Sequence, residues 1–352
     1  MRRSRVAAAA ASLTVLALAA SGCGGSSDAA PSPSASSSSP AESATPTPTP
    51  TPTPVAVPTA TLTGLPGADG PVLIVKIDNA PAAQPHAGLT QADVVYIEEV
   101  EGGITRIAAV FSSQVPDLIG PVRSARLTDL TLFEPYATPA FAFSGANPTL
   151  LKQVRSADLI DLGADRLSKV QYFRKKGWRA PHDLFADGSE LMALSGEAGR
   201  PPADPGWVFA ATPPAGGRPV SAVAVRYPGT SATLTWSAAE DRWLVAMGGG
   251  PMRTVEGPQL GPKTAVVQYA NVEKSGSVDV SGNPSPFIQT VGSGKALILR
   301  DGQAYDAVWT RPTAQEPIRY TAPDGSPLPF DPGQVWVLLA RPELPAAETP
   351  AL

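Results

Sequence analysis

One cysteine in 352 residues, Cys23, excludes an intramolecular disulfide and a cysteine-built zinc site. Two histidines, His86 and His182, form no metal-ligand cluster in the sequence. No Gly-x-Ser-x-Gly elbow surrounds a serine nucleophile, and a dinucleotide fingerprint is absent. Basic residues are not in excess either: Lys+Arg is 27, Asp+Glu is 31, and the net charge is −4. That balance excludes nucleic acid as an expected partner.

What is present begins with an address. Arg2, Arg3 and Arg5 precede an apolar run at residues 6–20, too short for a comfortable membrane span. Ala20-Ser21-Gly22-Cys23 follows and resembles a bacterial lipobox, with Ala20 where Leu is usual. The resemblance implies a signal peptide at 1–22, cleavage before Cys23 and acylation (palmitate among the chains) of that residue. The expected location is the extracytoplasmic face of the cell membrane, held by lipid. Residues 23–70 then read as a tether rich in Ser, Pro and Thr, with alternating Thr-Pro from 45 to 54. Proline at alternate positions blocks helix and ladder bonding and favours a stiff polyproline spacer inside a disordered stretch.

Residues 71–198 read as an α/β (α+β) domain with a mixed sheet. A continuous apolar run at 71–77 ends in Asp78-Asn79 and suggests a strand covered on both faces. Residues 94–100 form a second strand, and Gly102-Gly103 turns it into a third at 104–112. Alternation places Glu98 and Glu101 on opposite faces unless a bulge intervenes, which argues against a ready-made catalytic pair. The stretch Gly120-Pro121-Val122-Arg123-Ser124-Ala125-Arg126 reads as a helix start with Ser124 as N-cap. Two arginines there either bind a carboxylate or phosphate, or pair with Glu98 or Glu101 to hold the domain together. Asn147-Pro148 opens another helix. Residues 171–179 read as a loop with aromatic anchors, and His182 is the better functional candidate of the two histidines.

The run Ile77-Asp78-Asn79, Pro81, Pro85, Gly88-Leu89, Ala92-Asp93, Val95-Tyr96 and Glu101-Gly102-Gly103-Ile104-Thr105-Arg106 resembles the YerB-like bacterial lipoproteins, classed under domain of unknown function 3048. Ile119 to Arg126 and Ala180-Pro181-His182 fit the same pattern. The resemblance covers nearly all of 71–342 and implies a two-domain, membrane-anchored envelope protein without an established activity. Where the family commonly has Asn, Asp183 stands here, exchanging an amide donor for an acceptor-only carboxylate.

Residues 199–219 read as a linker in which Trp207 is a docking residue. Residues 220–342 carry short β-patterned runs at 223–227, 233–237, 242–246, 264–269, 287–291, 296–300, 305–310, 318–321 and 334–339. That makes a smaller, mainly-β C-terminal domain, followed by a tail at 343–352. Gly292-Ser293-Gly294-Lys295 lacks Walker spacing and leads into a strand, so it is not a phosphate loop.

The expected site is a polar cleft of Asp78, Asn79, Glu98, Glu101, Arg106, Arg123, Ser124, Arg126 and His182. Its leading use is binding, with a wall polymer, an anionic small molecule or an envelope protein as partner. The alternative is a carboxylate-dependent hydrolase or transglycosylase on wall glycan, with Glu98 or Glu101 as acid and Asp78 as partner. No cofactor and no metal is expected, although Asp78, Asn79 and a glutamate could be assembled into a cation site.

Overall fold

Runs of β-branched and apolar residues form strands that need cover on both faces. A computed structural model describes residues 58–196, 199–279 and 282–351. Cys23, the signal-like segment and the tether through residue 57 lie outside the described residues. The first segment supplies β1 (Leu73–Asp78), β2 (Val94–Glu99), β3 (Thr105–Phe111), β4 (Leu118–Ile119), β5 (Ala140–Phe143), β6 (Ile160–Gly163), β7 (Tyr172–Arg174) and β8 (Leu184–Asp187). It also supplies three short helices, α1 (Leu127–Phe133), α2 (Pro148–Val154) and α3 (Gly188–Ser195).

The second segment is sheet-rich. It contributes β9 (Arg218–Tyr227), β10 (Thr230–Ser237), β11 (Arg242–Met247), β12 (Gly250–Pro251), β13 (Thr264–Tyr269) and β14 (Val272–Val278). Further on come β15 (Pro284–Ile288), β16 (Gly292–Arg300), β17 (Gln303–Arg311), β18 (Arg319–Thr321), β19 (Val335–Ala340) and β20 (Ala347–Pro350). Gly292 to Lys295 open β16, so the Gly-Ser-Gly-Lys motif does lead into a strand.

Strands from both segments share one mixed sheet in the order β12-β11-β10-β9-β17-β16-β13-β19-β2-β3-β1-β5-β6. The join is β19. It pairs in parallel with β13 on one side and with β2 on the other, with Val335 opposite Val94 and Leu338 opposite Ile97. All six β19 residues are buried. Their alternation sends Val335, Val337 and Leu339 into one core and Trp336, Leu338 and Ala340 into the other. Just past β19, Arg341 grips the Glu99 carboxylate with two hydrogen bonds of 2.6 and 2.8 Å. The β14–β15 hairpin stands off this sheet and lies on α1, where Ile288 N–H donates to Thr128 Oγ1 at 3.1 Å.

Four expectations change. Residues 171–179, read as a loop, include β7, which pairs antiparallel with β8. Residues 58–70 belong to the folded body rather than to the tether. Ala60 and Leu62 are buried there, and Asp69 accepts from Thr61 N–H at 3.0 Å. The first helix starts at Leu127, with Arg126 rather than Ser124 as N-cap. The cap comes from the opposite direction: Asp129, three residues on, accepts the Arg126 N–H at 2.6 Å. The C-terminal residues read as a tail include β20, which pairs with β9 through backbone bonds although its side chains are exposed. Trp207 does dock, donating to Ile318 O at 3.1 Å and packing on Phe330.

One buried charge cluster sits inside this core. Lys76 is fully buried between Glu98 and Asp129, lies against the first and donates to the second at 2.7 Å. Burial lowers the Lys76 ammonium to about 8, against the pull of Asp129. Removing one member of such a cluster strands the others, so Lys76→Ala should cost about 3–5 kcal/mol in urea unfolding. Lys76→Met combined with Glu98→Gln should recover part of that loss. A single-mutant cost within experimental error would show that the cluster is not a structural element.

Candidate functional site

The site grows from the ends of three neighbouring strands. Arg106 on β3 stands opposite Asp78 of β1 on one side and Glu98 of β2 on the other. Residues directly opposite one another share a sheet face. Lys76, two residues before Asp78, shares it too. One buried face therefore carries four charges.

The segment after β4 runs across these strand ends and adds more. Asp78 N–H donates to Pro121 O at 2.9 Å, and Arg123 N–H donates to Lys76 O at 2.8 Å. Arg123 and Arg126 are thereby set above the sheet. Glu101 reaches the same side by a different route. β2 ends at Glu99, and a 3-10 turn of Glu101–Gly103 interrupts the alternation. Gly102 and Gly103 hold φ of 73° and 70°, which glycine adopts without strain. The expected opposition of Glu98 and Glu101 across the sheet therefore does not occur, since both are tied to α1: Glu98 through Lys76 and Asp129, Glu101 through Arg126.

The pairings divide the expected residues into three groups. Glu98 is sealed against Lys76 with no exposed surface. Asp78 is shared: its Oδ2 meets Arg123 Nε at 2.8 Å and His182 Nδ1 at 2.8 Å. The carboxylate can only accept, so His182 donates through Nδ1. Burial pushes Asp78 up, but the His182 bond, the Ala80 N–H and the Arg123 and Arg106 charges hold it below the usual carboxylate range. Asn79 donates to Thr105 Oγ1 at 2.8 Å, while its own carbonyl oxygen is buried without a partner.

The third group lines an open basin of about 740 Å³. Glu101, Arg106, Arg123, Ser124 and Arg126 face it, with Asn147 at the start of α2 and Ser277, Asp279 and Ser285 from the β14–β15 hairpin. Glu101 accepts from Arg126 Nε at 2.9 Å and also from the Ser285 hydroxyl. Burial raises Glu101, yet the Arg126 hydrogen bond and charge, with Ser285, bring it below its ordinary value. Arg106 differs from its neighbours. It is 7% exposed, donates to Ser124 O at 3.1 Å and forms no ion pair among the described residues. Burial, then repulsion from Arg126 and Arg123, lowers it to about 9.

Asp78, Asn79, Glu98 and His182 stand outside the basin's lining, although Arg123 links Asp78 to it. Among the described residues, no group of three or more His, Cys, Asp or Glu side chains could hold a metal ion. Asp78 is flanked by Arg123 and His182 instead of by further carboxylates. Asp183 pairs with Arg174.

Sequence reasoning missed Lys76, Asp129 and Ser285. A lysine inside a six-residue buried strand was itself a signal, because such a charge needs a partner. Ser285 gave none: it meets Glu101 across 184 residues of chain.

The arrangement defines a class: a mixed-sheet α/β protein whose sheet-rich C-terminal segment folds over an arginine-lined basin at the strand ends of its N-terminal segment. Two family models match the chain, "Protein of unknown function (DUF3048) N-terminal domain" over residues 62–200 and its C-terminal domain over residues 223–337. The chain belongs to that family. It is similar to the Bacillus subtilis (strain 168) protein named "Putative lipoprotein YerB", at 28% identity over 290 residues, 79% of this chain and 82% of that protein. The crystal structure of YerB protein from Bacillus subtilis matches with a TM-score of 0.69 at 23% identity, covering 83% of this chain and 99% of the other. That likeness shows the fold.

The strand end that carries Asp78 also carries a proton-linked element. His86 is fully buried and donates through Nε2 to Asp78 O at 2.8 Å. Burial lowers it from 6.5 to about 4, against the pull of Asp78. The unfolded chain thus binds this proton more readily than the folded one. The His86 contribution is complete above 6.5 and is lost as pH falls through about 4. Unfolding free energy should drop on acidification across that window, by up to about 3 kcal/mol from this group. His86→Gln should flatten the slope; an unchanged slope would remove His86 as its source.

Proposed function

We propose that the protein is a lipid-anchored protein of the extracytoplasmic membrane face, and that its basin binds an anionic group through Arg106, Arg123 and Arg126. The anchor reading is supported by the lipobox-like Ala20-Ser21-Gly22-Cys23, by Cys23 being the sole cysteine, and by the name of the Bacillus relative. No helix among the described residues is long and apolar enough to cross a membrane.

One observation carries the binding reading: Arg106, buried at the basin wall, has no carboxylate of its own. Asp78 is engaged with Arg123 and Glu101 with Arg126, which leaves Arg106 without an ion pair among the described residues. An arriving anion would add to the pull of Glu101 and Asp78 against the burial, and the repulsion from Arg126 and Arg123, that lower Arg106. Guanidinium groups match phosphate and carboxylate with paired N–H donors, which makes either a fitting group. Glycan hydrolysis is the weaker reading. It needs a carboxyl group kept protonated near neutral pH. Asp78 and Glu101 are instead held below their usual range, and Glu98 has no path to solvent.

Two measurements test this. Calorimetric titration of the unacylated chain beginning at Gly24 with inorganic phosphate should show binding that Arg106→Gln weakens at least about tenfold, the scale of one charge-assisted bond. Equal affinity in the variant would reject the role given to Arg106. Metabolic labelling with palmitate should mark the protein in membranes, and Cys23→Ala should abolish the label and release the chain. Persistent membrane association and labelling in that variant would refute anchoring at Cys23.

A further inference from the structure

We infer that the anionic group belongs to an amphiphile, whose hydrocarbon lies along Ile104, Leu127, Leu150 and Val278. The inference rests on the anion-binding reading and deepens it. These four side chains line the same basin as the three arginines. Ile104 is 38% exposed and Val278 is 53% exposed. Single exposed apolar residues need no explanation, but these two come from distant elements, the start of the β3 hairpin arm and the end of β14, and face one basin. A bare phosphate would leave that surface in water, whereas a ligand with an attached chain would cover it.

The neutral polar side chains of the lining point the same way, because each already makes a hydrogen bond within the protein. Ser124 Oγ lies 3.4 Å from Ser144 Oγ, and Ser277 Oγ lies 2.8 Å from Ser275 Oγ. Ser285 is spent on Glu101, and Asn147 Oδ1 accepts the Leu150 N–H at 2.9 Å. A sugar or a peptide backbone would bring hydroxyl or amide groups that need partners. A head group of one anionic centre joined to hydrocarbon needs a guanidinium and an apolar wall, and both are here.

The test is calorimetric titration of the unacylated chain with inorganic phosphate and with butyl, hexyl and octyl phosphate, each below its micelle threshold. Affinity should rise by about three- to fourfold per methylene buried until the chain outgrows the basin. Arg106→Gln should weaken every member of the series. Ile104→Ser and Val278→Ser, both at exposed positions, should cut the octyl-to-phosphate affinity ratio at least tenfold. If phosphate binds through Arg106 but chain length adds nothing, or the two serine variants keep the full increment, the amphiphile inference fails and the anion reading stands. A capped dipeptide carboxylate that binds more tightly than octyl phosphate would assign the basin to peptide and overturn the inference. Failure of phosphate and of every alkyl phosphate to bind would overturn both.

Discussion

A charge buried on a sheet face must be matched, and the β1–β3 face carries four: Lys76, Asp78, Glu98 and Arg106. The surrounding structure answers that demand. α1 brings Asp129 to Lys76. The segment before α1 brings Arg123 to Asp78, and the loop before β8 adds His182. Arg126, whose backbone N–H is held by Asp129, turns its side chain to Glu101. The result is a connected network from Glu98 through Lys76, Asp129, Arg126 and Glu101 to Ser285, and beside it Arg106 forms no ion pair among the described residues. The basin is located where this matching is left incomplete.

That basin needs both sequence segments. Its floor is strand ends from the first, and one wall is the β14–β15 hairpin from the second. The hairpin is fixed to α1 through Ile288 and Thr128, while β19 lies between β13 and β2 as an interior strand. Interior parallel strands are buried on both faces, and the composition of β19, Val-Trp-Val-Leu-Leu-Ala, is that of such a strand. Separating the segments would therefore expose a strand apolar on both faces and unroof the site. The two family-matched segments thus share one sheet.

Much of this was legible in the residues. The apolar runs of β1, β2, β3 and β5 have strand character by composition alone, and Asn147-Pro148 caps α2 as its chemistry directs. What escaped was of two kinds. β14, Val-Glu-Lys-Ser-Gly-Ser-Val, and β20 are held by backbone pairing with little apolar burial, so periodicity carries no trace of them. The turn that brings Glu101 round was visible as Gly102-Gly103, but the close approach of Pro228, which a Cβ at Gly103 would meet, and the bond from Gly229 N–H to Gly103 O at 2.9 Å come from residues far along the chain. The arginines of the site were readable as residue types; that Arg106 is the one without a carboxylate emerges only from three-dimensional pairing.

The same pairing favours the proposed anion binding over acid–base chemistry. A general acid needs a carboxyl that burial raises and nothing lowers. Burial does push Asp78 and Glu101 upward, but each has a guanidinium and further hydrogen-bond donors, which reverse the direction. The protein has spent its acids on fixing arginines in place. An arginine so fixed loses little freedom when a ligand arrives, which favours affinity through preorganisation. Arg123 and Arg126 are thus positioned by their acids, and Arg106 between them presents the uncompensated charge. A site built that way is suited to hold an anion still rather than to exchange protons with it.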